Sequence, residues 1–228
     1  MRRIFAILLC CSLLAFPVRG AQQEKFVALT FDDGPSGRFT RKLLEGLEQR
    51  DAKATFFLCG YRIAQYPELT QRIAAEGHEI GLHGYSHKAM ETMSRQEITQ
   101  EIQRVFSQLQ DIGPINFLRT PGGRSNKCVQ AATAEFDLSI LYWSVDPQDW
   151  ATHDVKKIVE YVTSQVRDGD VILMHDMSNS SVEAALIIID RLQNQGFQFI
   201  TVSELAEKRG ITPEPGKRYS RFPAETAK

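Results

Sequence analysis

The chain has 228 residues, with 27 Lys and Arg against 28 Asp and Glu, a net charge of −1 and 43% hydrophobic residues. That near balance, with no basic stripe and no nucleic-acid motif, argues against nucleic acid as a partner. The length suffices for one sizeable core. In chain order, Met1-Arg2-Arg3 comes first, then an apolar stretch from Ile4 to Phe16 and small residues at Gly20-Ala21. A basic start, a short apolar core and a small-residue exit describe a secretory signal peptide over 1–20, with Ala21 the predicted mature N-terminus. The apolar stretch is too short for a comfortable membrane span, so no stable span is expected after cleavage. A retained N-terminal anchor is the alternative. The expected address is extracytoplasmic, either periplasmic or secreted. Cleavage removes Arg2, Arg3 and Arg19 and no acid, which takes the net charge from −1 to about −4. Cys59 and Cys128 are then the cysteines left, and in an oxidising compartment a bridge between them is open either way.

Short apolar runs alternate with amphipathic helical patterns through the rest of the chain. Strands are predicted over 26–30, 54–59, 79–83, 116–119, 139–144, 171–175 and 197–202. Helices are predicted over 39–50, 62–76, 94–112, 125–136, 154–167, 181–195 and 203–210. Gly77, Gly113 and Gly196 punctuate three helix ends. Seven alternations predict an α/β fold with a parallel sheet, and periodicity does not say whether the sheet closes. Residues 21–211 are expected to be one catalytic domain. The tail 212–228, rich in Pro, Arg and Lys, is expected to be a surface extension.

Unusual polar residues gather at the C-terminal ends of these strands. Asp32 and Asp33 follow the first and His83 and His87 the third. Arg119 follows the fourth, Asp146 to Trp150 the fifth, and His175 with Asp176 the sixth. In parallel α/β folds that edge is where ligands bind. His83 and His87, four apart just past a strand, can present both rings to one side. One carboxylate from the first strand would complete a two-histidine, one-carboxylate set with positions open for water or substrate. Such a set serves hydrolysis or non-haem iron oxidation. A second carboxylate beside the ligand, His175 on another strand and Asp149 to orient its ring are acid–base parts, and they favour hydrolysis. His78 is expected to be structural and His153 a surface or capping residue. Trp150 could be ordinary core.

The ordered set Thr30-Phe-Asp-Asp-Gly-Pro35, His83-Gly-Tyr-Ser-His87, Arg119-Thr-Pro-Gly-Gly123, Asp146-Pro-Gln-Asp-Trp150 and Leu173-Met-His175 resembles the polysaccharide deacetylase family, carbohydrate esterase family four. All five of that family's motifs occur in order, over about residues 25–205. The resemblance implies a distorted (β/α)7 barrel of parallel strands in a single domain. It implies a divalent metal, Zn2+ first with Co2+ or Ni2+ as substitutes, held by Asp33, His83 and His87. Asp32 would be the general base, oriented by Arg119. The amide of Gly122 would help to stabilise the oxyanion. His175, oriented by Asp149, would protonate the leaving amine, and Trp150 with Leu173 would wall the acetyl pocket. Two departures stand out. Gly84 replaces the usual Ser or Thr after the first histidine, so the metal loop is expected to be looser. Gly122-Gly123 replaces an aromatic that forms one groove wall, so the groove is expected to be more open there.

The function implied is removal of N-acetyl groups from N-acetylglucosamine-containing polysaccharides, with peptidoglycan or chitin-type oligosaccharides as the acetylated partner. The alternatives are an O-deacetylase of acetylated xylan and a catalytically silent carbohydrate-binding protein on the same fold.

Overall fold

The computed structural model describes residues 24–224, so the predicted signal peptide lies outside the described residues. β1 (Lys25–Asp32) leads through α1 (Arg38–Glu48) to β2 (Thr55–Leu58), and α2 (Gly60–Gln65) and α3 (Pro67–Ala75) lead on to β3 (Glu79–Leu82). Then come α4 (Arg95–Phe106), β4 (Phe117–Leu118), α5 (Lys127–Ala134) and β5 (Ser139–Leu141). The chain continues with α6 (Val155–Gln165), β6 (Val171–His175), α7 (Asn179–Gln193), β7 (Phe197–Phe199), α8 (Val202–Lys208) and β8 (Arg218–Tyr219). No helix among the described residues is long and apolar enough to cross a membrane.

The strands pair in the order β6-β1-β2-β3-β4-β5-β8, all parallel, with β7 also on β1. The sheet curls until Val145, past the end of β5, meets Ile172 of β6 in a single parallel bridge. The result is a single-domain, distorted (β/α)7-type barrel. β1 is apolar from Phe26 to Leu29 and again at Phe31, and it is buried from Phe26 onward, as a strand covered on both faces must be. Alternation sends Val27, Leu29 and Phe31 outward, into the layer shared with Leu43 and Leu44 of α1 and Ile188 of α7. It sends Phe26 and Ala28 inward, where they meet Phe57, Phe117, Leu141 and Val171. Thr30 and Asp32 share that inward parity, which carries Asp32 into the barrel mouth.

Helix ends follow local chemistry. Ser94 and Glu97 form a reciprocal capping box at the start of α4, and Thr201 and Glu204 do the same for α8. The stretch 62–76, predicted as one helix, is two. Pro67 opens α3, and Tyr66 before it sits at φ −135°, ψ 59°, outside helical space, because the proline ring crowds the preceding residue.

The tail departs from expectation. Instead of a surface extension from Thr212 onward, Arg218 and Tyr219 pair with Ile140 and Leu141 as β8. Arg221 bridges to Asp170 beside β6, and Phe222 is fully buried in the inner core. The physical reason is the gap between β5 and β6 below the Val145–Ile172 bridge, which leaves a strand edge and apolar side chains to be covered. Cys59 is buried and Cys128 exposed, and both are free thiols, so no bridge joins them.

Candidate active site

Asp32 ends β1 with its side chain buried, and its partner is Arg119 just past β4. Arg119 Nη1 donates to Asp32 Oδ1 at 2.7 Å and to Thr30 Oγ1 at 2.8 Å. Its Nε and Nη2 donate to the carbonyls of Leu141 and Tyr142, and the guanidinium lies 4.1 Å from the centroid of the Phe57 ring. A fully buried cation is tolerated only when its donors are satisfied and an anion is near, and both conditions hold here. Asp32 is thereby fixed by one oxygen, while Oδ2 lies 3.8 Å from His83 Nε2.

Asp33 leaves the strand at φ 71°, which turns its side chain away from that of Asp32. Its Oδ1 lies 2.8 Å from His87 Nε2 and 3.3 Å from His83 Nε2. These are close approaches of ligand atoms rather than aligned hydrogen bonds, since the buried Oδ1 accepts none in good geometry. One potential ligand atom from each of Asp33, His83 and His87 lies within 4.8 Å of the others. Burial alone would push the Asp33 carboxyl up. When the two imidazoles are protonated, their charge outweighs it and holds the carboxyl far below the ordinary range. The His87 ring is raised in turn, first by Asp33. His83 Nδ1 lies 2.8 Å from the Arg119 carbonyl, so Nδ1–H donates there and the Nε2 lone pair is left to the cluster. An orphaned carboxylate oxygen and two imidazole nitrogens converging in this way fit a divalent metal of the zinc type.

His175 ends β6, in register beside Asp32 of β1. Its backbone N–H donates to Asp149 Oδ2 at 2.9 Å, and its ring Nδ1 donates to Asp149 Oδ1 at 2.8 Å. Burial opposes charging the ring, but the fully buried Asp149 beside it, helped by Asp32 and Asp33, raises His175 to about 9. Asp176, next along, is fully buried, and burial pushes its carboxyl up to about 6. It accepts from Thr40 Oγ1 and lies against Gly34, where an added Cβ would sit 2.8 Å from Oδ1. The turn after Asp33 therefore has room for glycine alone.

These groups open onto one cavity of about 400 Å³. Of the residues singled out in the sequence, Asp32, Asp33, His83, His87, Gly122, Trp150, Leu173 and His175 line it, and Arg119 and Asp149 lie behind, each on its partner. Leu173 is buried at the floor, whereas Trp150 is 63% exposed at the lip rather than part of the core. Gly122 is at φ 70°, and a Cβ added there would meet nothing within 4 Å. Beside it a Cβ on Gly123 would meet the Trp143 ring at 2.5 Å. Trp143 and Asp146 also line the cavity. Asp146 opens a motif that the sequence singles out, but it carried no assigned role, and Trp143 bore no sequence signal. His78 is buried away from the cavity, its Nδ1 accepting from the Ala54 amide, and burial lowers it to about 4. His153 is exposed, 3.2 Å from Ser180 Oγ, and Asp154 caps α6.

A family model for polysaccharide deacetylase matches residues 19–141. The chain is 38% identical over 189 residues to a peptidoglycan-N-acetylglucosamine deacetylase of Bacillus cereus, covering 80% of this chain and 88% of that protein. It is 37% identical over 187 residues to the peptidoglycan-N-acetylmuramic acid deacetylase PdaC of Bacillus subtilis, covering 81% of this chain and 39% of PdaC. The chain thus spans about two fifths of that relative's length. A solved structure of a family 4 acetyl xylan esterase from Clostridium thermocellum, in complex with a cobalt ion, is similar at a TM-score of 0.81 and 31% identity, over 87% of this chain and 100% of that one. The family match runs from β1 through the histidine loop to β5, and the likeness in fold covers 87% of the chain, so this chain belongs to the polysaccharide deacetylase family.

Proposed function

We propose that this protein is a metal-dependent hydrolase that removes N-acetyl groups from N-acetylglucosamine-containing polysaccharides, peptidoglycan or chitin-type oligosaccharides, outside the cytoplasm. One observation carries the reading. A carboxylate fixed by a guanidinium (Asp32 and Arg119) and an imidazole fixed by a carboxylate (His175 and Asp149) end neighbouring strands over the same cavity as the Asp33, His83 and His87 cluster.

Asp33, His83 and His87 would hold the divalent metal, zinc first and cobalt or nickel as substitutes. Such a metal supplies a water acidic enough to react near neutral pH and a Lewis acid for the acetyl carbonyl. Asp32 Oδ2, left free by the pairing of Oδ1, takes the proton from the attacking water. The Gly122 N–H donates to the developing oxyanion. His175 is protonated at neutral pH and turns Nε2 to the cavity, so it gives its proton to the departing amine. Trp150 and Leu173 enclose the acetyl methyl group. The predicted signal peptide and the cell-wall substrates in the relatives' names support the extracytoplasmic address.

The test is acetate release from chitooligosaccharides and peptidoglycan fragments, lost on chelation and restored by zinc or cobalt. Asp32→Asn is expected to lower the rate by roughly 10²–10⁴-fold, and full activity in that variant would overturn the mechanism. The likeness to an acetyl xylan esterase favours a second reading, O-deacetylation of xylan. Faster release from acetylxylan than from chitin oligomers would select it. Glycan binding with no acetate release would select a silent binding protein.

A further inference from the structure

His83 and His87 are joined by Gly84, Tyr85 and Ser86, with Gly84 at φ 72° and His87 at φ 59°. A left-handed backbone at a histidine persists only where its surroundings hold it. Two elements grip this loop from opposite sides. The first turn of α2 donates to its carbonyls, Gly60 N–H to Gly84 at 3.0 Å and Tyr61 N–H to Tyr85 at 3.1 Å. From α4, Glu101 Oε2 accepts the amides of Tyr85 at 2.8 Å and Ser86 at 2.7 Å. Arg104, one turn further along α4, stacks over the Tyr85 ring at 3.3 Å. A side chain at position 84 would be strained here. Its Cβ would lie 2.8 Å from Met90 Cε, in a conformation that only glycine adopts easily.

We propose that Glu101 is a positioning residue of the metal site: its carboxylate oxygen clamps the two amides between the histidines and so sets His87 against His83 and Asp33. It touches neither substrate nor ligand atoms and acts through the loop. The inference rests on the metal reading of the Asp33, His83 and His87 cluster. A single oxygen accepting both amides is the working part, so geometry rather than charge is what matters.

Zinc affinity, measured on the whole mature protein by competition with a chromophoric chelator, tests it together with melting of the metal-free protein. Glu101→Ala is expected to weaken zinc binding by roughly 10–100-fold, the range typical of lost outer-sphere support. Glu101→Asp, which keeps the charge but withdraws the oxygen, should weaken it comparably and carries the test if the alanine variant does not fold. Glu101→Gln retains an oxygen able to accept both amides and should lose less than about tenfold. In a His87→Ala background, Glu101→Asp should cause no further loss. Parent-like zinc affinity in both Glu101→Ala and Glu101→Asp would overturn the proposal while leaving the metal site intact. So would an equal loss with and without His87, or a pattern in which Asp holds and Gln fails. A parent that binds no zinc would instead overturn the metal reading, and the proposal with it.

Discussion

Strand alternation sends Asp32 into the barrel mouth against Arg119, while φ 71° turns Asp33 out toward two imidazoles. Two adjacent carboxylates thus meet a fixed cation on one side and a ligand cluster on the other. His175 has a comparable fixed partner in Asp149, and its consequence can be read by titration. The folded pKa of about 9 lies above the ordinary value of 6.5, so the pair's contribution is fully present below about pH 6.5 and is lost as pH rises through about 9. Over that window the metal-free parent should lose roughly 3 kcal/mol more stability than His175→Gln. Urea titrations at a series of pH values would measure this, and parallel slopes for the two proteins would refute it. Asp32, Asp33, His83, His87, Arg119, Asp149 and His175 were legible in the sequence as candidates because they follow predicted strands and fall within the five ordered motifs. Glu101 was not. Among Gln100, Gln103 and Arg104 it looks like any residue on a solvated helix face, and its partners lie 15 and 16 positions away.

Elements were legible where hydrophobic period decided them and illegible where tertiary placement did. β1 and β6 are long enough for their pattern to speak. Pro67 did carry a signal for the break between α2 and α3, yet the apolar period continues across it. β8 carries no pattern at all. Arg218 and Tyr219, between Lys217 and Arg221, read as part of a charged tail, and only the open edge of β5 makes them a strand. The anchor is Phe222, fully buried against Phe26, Leu141 and Val171 and hydrogen-bonded through its amide to Gly169. Phe222→Ala should cost about 3–5 kcal/mol, as large core truncations do. A loss under about 1 kcal/mol in chemical denaturation would mean that the tail is not part of the folding unit.

The whole molecule joins the barrel to a site drawn from the ends of five strands, β1, β3, β4, β5 and β6, so occupancy of the site should be felt globally. Zinc at about 100 times its dissociation constant should stabilise the fold by about 2.7 kcal/mol, which for a chain of this size raises Tm by roughly 5–10 °C. Calorimetry with and without chelator measures the shift, and His83→Ala should abolish it. An unchanged Tm in the parent would count against a resident metal.

The pairing of β1 has a consequence in time. Its Ala28 to Asp32 edge waits for Val171 to His175, and its Lys25 to Val27 edge for Phe197 to Phe199. At synthesis rates of about 5–20 residues per second, those partners emerge on the order of ten seconds after β1 does. For that interval an apolar strand with an open edge is the nascent chain's chief hazard of mispairing, and a long-range topology of this kind folds late rather than as it is made.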